Sequence, residues 1–393
     1  MANNNKHTGP NVPALRFPEF SGEWEKVLLS SACEINPKTG SLDNQFLYID
    51  LESVVKGSLV KRQIIEKDGA PSRAQRVLKE NDILYQCVRP YQLNNYIFEG
   101  DTIQCVASTG YAQLRTTQFP LYIFQALHTK RFTNQVLERC TGTNYPAINS
   151  SDLGTVEVPI CSLPEQVKIG SLLALIDSRI KTQSKIIEDK ETLYKAIIDK
   201  HFKEIRKNES IQEVYLSNVF KERVEYSSND GVFPHASLTK EGVNIKTDRY
   251  NRDFLVKDTD KQYKVTRIND ICYNPANLKF GVITRNKVGT LIFSPIYVTF
   301  EVRNGYDPAY IELMVTNSDF VNKMLRFQEG TVYERMAVSS EDFLSESCKI
   351  PDLEIQKEFS AHVSIIEQSI QVEKKYLESI CRIKNYILEA MFI

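Results

Sequence analysis

No Cys-x-x-Cys pair occurs in this sequence, and its five histidines (His7, His128, His201, His235 and His362) are scattered. That spacing supplies no zinc framework. Eight cysteines dispersed through 393 residues do not make a disulfide scaffold, so reduced, cytosolic thiols are expected. No run of about 18 apolar residues exists that would cross a membrane as a helix. The polar opening Met1-Ala2-Asn3-Asn4-Asn5-Lys6 leads into no apolar segment, so a signal peptide is not expected. Charge of one sign is also missing. The 49 Lys and Arg against 50 Asp and Glu leave a net charge of −1. That argues against an indiscriminate nucleic-acid coat but leaves room for a local basic face. Phosphate-cradling Gly-x-x-x-x-Gly-Lys, Gly-x-Ser-x-Gly and His-Glu-x-x-His motifs are absent. Tyr273-Asn274-Pro275-Ala276 departs from the Asn-Pro-Pro-aromatic tetrapeptide of amino-methyltransferases at its last two positions and reads as a turn. Nothing positive supports a catalyst.

What is present is a repeat. Between Pro164 and Phe202, Ile169, Leu173, Ile176, Ile180, Ile187, Tyr194 and Ile197 recur at helical spacing. Lys181, Lys185, Glu188, Asp189, Lys190 and Glu191 cover much of the remainder. At about 1.5 Å per residue such a helix spans roughly 60 Å, so it needs a partner along its length. The last stretch supplies one. An offset of 190 residues brings Phe359, Val363, Ile366, Ile370, Leu377 and Ile387 onto the stripe, with Gln356 answering Gln166 and Glu373 answering Gln183. Ile169, Leu173, Ile176, Ile180, Ile187, Phe359, Val363, Ile366, Ile370 and Leu377 are therefore the expected helix-pair interface. Upstream, Asn81-Asp82-Ile83-Leu84-Tyr85 returns as Asn269-Asp270-Ile271-Cys272-Tyr273, and Gly142-Thr143 with Tyr145 returns as Gly330-Thr331 with Tyr333. The whole chain is two copies of one plan, a domain followed by a long helix.

The boundaries this implies are a tail over residues 1–22, a first domain over 23–163, a long helix over 164–207, a second domain over 208–352 and a last helix over 353–393. A short helix is expected from Trp24 (Val27, Leu28, Leu29, Ala32). Strands are expected at 46–50, 58–65, 83–85, 96–98, 102–106 and 111–115, then one helix over 121–139. The second copy predicts strands at 263–265, 270–273, 281–284, 291–293 and 296–300 and one helix over 308–328. The fold class is mixed α/β: two similar domains joined by two long antiparallel coiled-coil helices, with pseudo-twofold internal repeat.

Binding signals are diffuse. Lys56, Lys61, Arg62, Lys67, Arg73, Arg76 and Lys79 face only Glu66 and Asp68 in their stretch. Residues 83–98 hold no acid but carry Arg89, Tyr91, Gln92, Asn94 and Asn95. Residues 271–300 hold none either, with Asn277, Lys279, Arg285 and Lys287. Arg and Lys neutralise phosphates, while Arg, Asn and Gln can read base edges. Lys61, Arg62, Arg73, Arg76, Arg89, Tyr91, Gln92, Asn94, Asn95, Asn144, Tyr145, Asn277, Lys279, Arg285, Lys287, Tyr333 and Arg335 are the candidate DNA-binding residues. The competing reading of each is an ordinary solvated surface.

Thr141-Gly142-Thr143-Asn144-Tyr145, then Val158-Pro159-Ile160-Cys161-Ser162-Leu163-Pro164-Glu165-Gln166 and the helix through Leu172 to Ile180, resemble the specificity (S) subunit of a type I restriction-modification enzyme. The opening Leu15-Arg16-Phe17-Pro18-Glu19-Phe20 with Trp24 fits as well. The second copy departs at Leu353-Glu354-Ile355-Gln356, which lacks the Pro and the Glu. The resemblance implies a non-catalytic, cytoplasmic, DNA-binding subunit of a defence system against foreign DNA. Its two target-recognition domains would each read one half of a split target in double-stranded DNA, with the helices setting the gap. It implies methyltransferase (M) subunits, two of them, and restriction/translocase (R) subunits as partners. S-adenosylmethionine, ATP and Mg would reside on those partners and not on this chain. The alternative is a non-catalytic scaffold with two protein-binding domains on a helical rod.

Overall fold

The computed structural model describes residues 11–228, 232–240, 242–246, 262–327 and 337–393. The chain divides into two compact units, Met1–Lys185 with Lys375–Ile393, and Ile186–Lys374. Among the described residues no helix is long and apolar enough to cross a membrane, and all eight cysteines are free.

In the first unit, strand Ile83–Gln86 is wholly buried and pairs antiparallel with Tyr111–Thr116 and Tyr96–Ile97; Cys33–Ile35 completes that sheet. A second sheet orders Gln63–Glu66, Gln45–Ile49, Cys105–Ser108 and Ala74–Val77, with one parallel pair in the middle. The expected helix after Trp24 is instead strand Glu25–Leu28, a single turn Leu29–Ala32 and strand Cys33–Ile35. Glu25–Leu28 pairs with Glu157–Ile160, and that distant ladder outweighs a local pattern too short to nucleate a helix. The expected strand over 58–65 is two pieces, Ser58–Leu59 and Gln63–Glu66. The expected helix over 121–139 breaks into Pro120–Ala126 and Lys130–Glu138, because the Thr129 side chain accepts the Phe132 N–H and starts a new helix.

The second unit repeats this build. Phe220–Glu222, Val298–Val302, Ile271–Tyr273 and Ile283–Arg285 form the equivalent antiparallel sheet, and Glu213–Tyr215 pairs with Ser347–Lys349. The expected helix over 308–328 also breaks, at Asn317, whose side chain accepts the Asp319 N–H. Its expected end at Gln328 lies outside the described residues.

Two long helices, Leu163–Lys207 and Leu353–Met391, occupy the expected places. Gln166 and Gln356 seat their first turns alike. The Gln166 Oε1 accepts from the Phe119 N–H at 3.1 Å while Nε2 donates to the Cys161 carbonyl; the Gln356 Oε1 accepts from the Asp307 N–H at 2.9 Å while Nε2 donates to the Pro351 carbonyl. Glu165 has a task only in the first copy. It receives Arg16 through Nε at 2.7 Å and a second nitrogen at 2.8 Å, with both side chains buried. This ties residues 11–22, expected to be a loose tail, onto the helix. Ile355, in the place of Glu165, is exposed, and this accounts for the second copy's departure from the motif.

Within each unit the helices run antiparallel. Asp177 meets Lys384 in the first unit; Lys190 meets Glu373 and Glu191 meets Lys374 in the second. The expected interface stripe does two jobs. Ile169, Leu173 and Ile176 join the first unit's core beside Trp24, Tyr122 and Phe392; Phe359 and Val363 join the second unit's core beside Phe202 and Tyr310. Ile187 and Ile370 are buried, and Ile180, Ile366 and Leu377 are partly buried. Each core thus takes the start of one long helix and the end of the other. Trp24 stacks edge-on against Phe392 at 6.2 Å, the Leu15 N–H donates to the Ala390 carbonyl, and His201 stacks on Phe359 at 3.6 Å.

Candidate nucleic-acid interface

The first unit's acid-free segment is built on a buried hinge. After Gln86, the Cys87 N–H donates to the Gly110 carbonyl, the Cys87 carbonyl accepts from Ile148, and the Arg89 N–H donates to the Pro146 carbonyl. Residues 87–89 are therefore clamped between the turn at 109–110 and the loop at 141–148. Arg89 (φ 54°) and Leu93 (φ 53°) both take the left-handed conformation around the single turn Pro90–Gln92. Side chains without β-branching enter that region at a cost, and such positions cluster at binding sites. The Arg89 guanidinium lies 4.2 Å from the ring centroid of Tyr145, a residue that is 64% exposed. Its Nε is buried and, among the described residues, unpartnered. Asn144 and Tyr91 are also exposed.

Gln92, Asn94 and Asn95 hold this loop together. Gln86 donates through Nε2 to the Gln92 Oε1 and accepts from the Asn94 N–H. Asn94 Oδ1 accepts from the Lys56 N–H. Asn95 is buried; its Oδ1 accepts from the Gln86 N–H and its amide nitrogen approaches His128 Nε2 at 3.4 Å. The His128 Nδ1–H donates to the Phe124 carbonyl at 2.6 Å, which leaves Nε2 as the acceptor. Burial, with Lys384 nearby, pulls His128 down to about 4, so the imidazole is neutral near pH 7.

The basic stretch is less free than its sequence suggests. Arg62 is paired with Asp101 at 2.6 Å, and Lys61 stands 3.8 Å from Asp50. Arg73 is exposed; Arg76 is partly buried, its Nε lacks a partner among the described residues, and burial pulls its guanidinium below the ordinary value. In the second unit, Arg285 and Lys287 lie in an acid-free stretch of sequence but not of space. Glu312, from helix Pro308–Thr316, accepts from Arg285 Nε and Lys287 Nζ, each at 3.0 Å. Asn277 is partly buried in the turn Pro275–Phe280, which closes at left-handed Gly281. Lys279 and Lys240 stand 5.1 and 5.9 Å from the exposed Phe280 ring. Sequence spacing gives no sign of Lys240, which arrives from a separate hairpin, Ala236–Thr239 with Gly242–Ile245. Tyr333 and Arg335 lie outside the described residues.

Both units anchor the strand beneath these loops on one buried aspartate that follows a left-handed Asn, Asn81 or Asn269. Asp82 is held by both arms of Arg115 (2.8 and 2.7 Å), and Asp270 by both arms of Arg223 (2.7 and 2.9 Å). Arg115 comes from strand Tyr111–Thr116, whereas Arg223 directly follows strand Phe220–Glu222.

Residues 21–189 match the family model described as Type I restriction modification DNA specificity domain. A curated relative, the Type I restriction enzyme HindI specificity subunit of Haemophilus influenzae, is 23% identical over 167 residues, 41% of this chain and 33% of its own. The chain therefore spans about a third of the length of that relative. Among solved structures, a chain from a study of complex assembly and conformational transition of the type I R-M system aligns with 19% identity and a TM-score of 0.58, covering 93% of this chain and 96% of that one. The Type-I restriction-modification system S subunit from M. genitalium aligns with 16% identity and a TM-score of 0.60, covering 97% and 99%. These likenesses are of fold, and they run through both units. The second unit carries the same sheet, the same Asn-Asp anchor and the same helix-seating glutamine as the stretch that the family model matches.

Proposed function

We propose that the chain is the specificity subunit of a type I restriction-modification complex. Each unit reads one half of a two-part DNA sequence, and the helices set the gap between the halves. One observation carries this reading: the domain matched by the family model recurs, down to the Asp82/Asp270 anchor and the Gln166/Gln356 seat, in the rest of the chain. Two reading domains imply two half-sites. The chain itself contributes recognition. Methyltransferase subunits bring S-adenosylmethionine and modify adenine; motor-nuclease subunits bring ATP and Mg.

Exposed apolar residues on the long helices support a partner-binding role. Leu175, Ile383 and Tyr386 in the first unit, and Leu193, Ile365 and Val372 in the second, are each more than half exposed. Such residues on a helix face suit burial by another protein. The test is co-expression with the candidate methyltransferase and mapping of modified adenines in host DNA. One two-part motif with a fixed gap is expected, and replacing residues 1–163 with those of a homologue should change one half alone. A stable complex that marks no motif would refute the proposal.

A further inference from the structure

We infer that Arg89 reads a guanine in the half-site of the first unit, with Tyr145 as the platform that aims it. The inference rests on the function proposed above. Three features of the site converge on it. The backbone of Arg89 is fixed in the left-handed region and pinned by the Pro146 carbonyl, so the side chain leaves the loop in a set direction. The guanidinium is stacked at 4.2 Å on an exposed ring, which orients its planar fork before any ligand arrives. Among the described residues, no carboxylate lies within ion-pair distance of Arg89 and its guanidinium makes no hydrogen bond.

The contrast with the neighbouring cations is chemical. Arg62 is paired with Asp101, and Arg285 and Lys287 share the single carboxylate of Glu312. Arg73 is exposed without a platform, a state that suits a phosphate, which needs charge more than direction. A fixed guanidinium fork suits the O6 and N7 acceptors of guanine, which it meets bidentately. Its pre-organisation lowers the ordering cost of that contact. In the second unit the interval from Asn274 to Gly281 equals that from Gln86 to Leu93, but Asn277, at the matching place in sequence, lies inside the turn Pro275–Phe280 and is partly buried, so the second unit has no counterpart of the fixed Arg89 fork there.

The test uses the full chain in complex with its methyltransferase partner and reads the motif from modified adenines in host DNA. The wild type should show a guanine in the half governed by residues 1–163. Arg89→Asn suits the left-handed backbone and should relax that one position, with roughly a 5- to 150-fold loss of discrimination, and leave the other half and the gap unchanged. Arg89→Lys keeps the charge but not the fork and should relax the same position. Tyr145→Ala should weaken discrimination there, and Tyr145→Phe should preserve it. A thermal melt of each complex separates these effects from misfolding. An unchanged motif with uniformly lower methylation in Arg89→Asn and Arg89→Lys would make Arg89 a phosphate contact and overturn the inference, while the two-domain function stands. A wild-type first half without guanine overturns it equally. No two-part motif at all refutes the function and the inference together.

Discussion

The Arg16–Glu165 pair offers the sharpest test of how the first unit is closed. Arg16→Met removes a guanidinium that meets Glu165 at 2.7 and 2.8 Å and leaves a carboxylate only 1% exposed without its partner. Breaking a buried ion pair from one side costs about 3–5 kcal/mol. Arg16 also donates to the exposed carbonyls of Ser21 and Gly22; this places the pair near the surface, and a cost of about 3 kcal/mol is expected. For a unit of this size the transition should fall by roughly 6–12 °C. The double variant Arg16→Met with Glu165→Ile removes both charges and should recover most of the loss, since the second copy already carries Ile355 at this place. Differential scanning calorimetry of the complex with its partner reads both. If single and double variants melt alike, the buried carboxylate is not the cause and the reasoning fails.

Gly170 sits in the long helix where a Cβ would lie 2.7 Å from the Tyr122 backbone nitrogen. Gly170→Ala should therefore destabilise by about 1–3 kcal/mol despite alanine's better helix propensity; a raised melting temperature would contradict this. His128, with its folded value near 4 against an ordinary 6.5, binds a proton more readily unfolded than folded. Its contribution to stability is present above about pH 6.5 and is lost as pH falls towards 4, at up to about 1.4 kcal/mol per pH unit. His128→Gln should flatten the denaturation midpoint over that window, and an unaltered pH profile would count against it. Ile383→Lys with Tyr386→Lys should abolish capture of the methyltransferase subunit in a pull-down and leave the far-UV circular dichroism unchanged; undiminished capture would remove this face from the partner surface.

Much of the architecture was legible because it repeats. The matched stripes of the two long helices, the Asn-Asp strand starts and the paired glutamines are local patterns, and each copy corroborates the other. The candidate site was legible only in part. Arg89, Tyr91, Asn144 and Tyr145 lie together on one loop cluster, but Asn95, equally polar in sequence, is spent inside the fold on Gln86 and His128. Arg285 and Lys287 read as free cations because Glu312 is distant in the chain. Trp24 to Ala32 read as a helix because its strand partner, Glu157–Ile160, is equally distant.

Sequence by itself determined that there are two domains of one kind, each followed by a long amphipathic helix, because periodicity and repetition are local properties of the chain. Only the tertiary structure decided that Phe392 and Met391 close the first unit's core and that Phe202 and Ile198 close the second's. It also decided which cations remain unpaired. Burial and ion pairing depend on distances between residues far apart in the chain, and no local pattern encodes those distances.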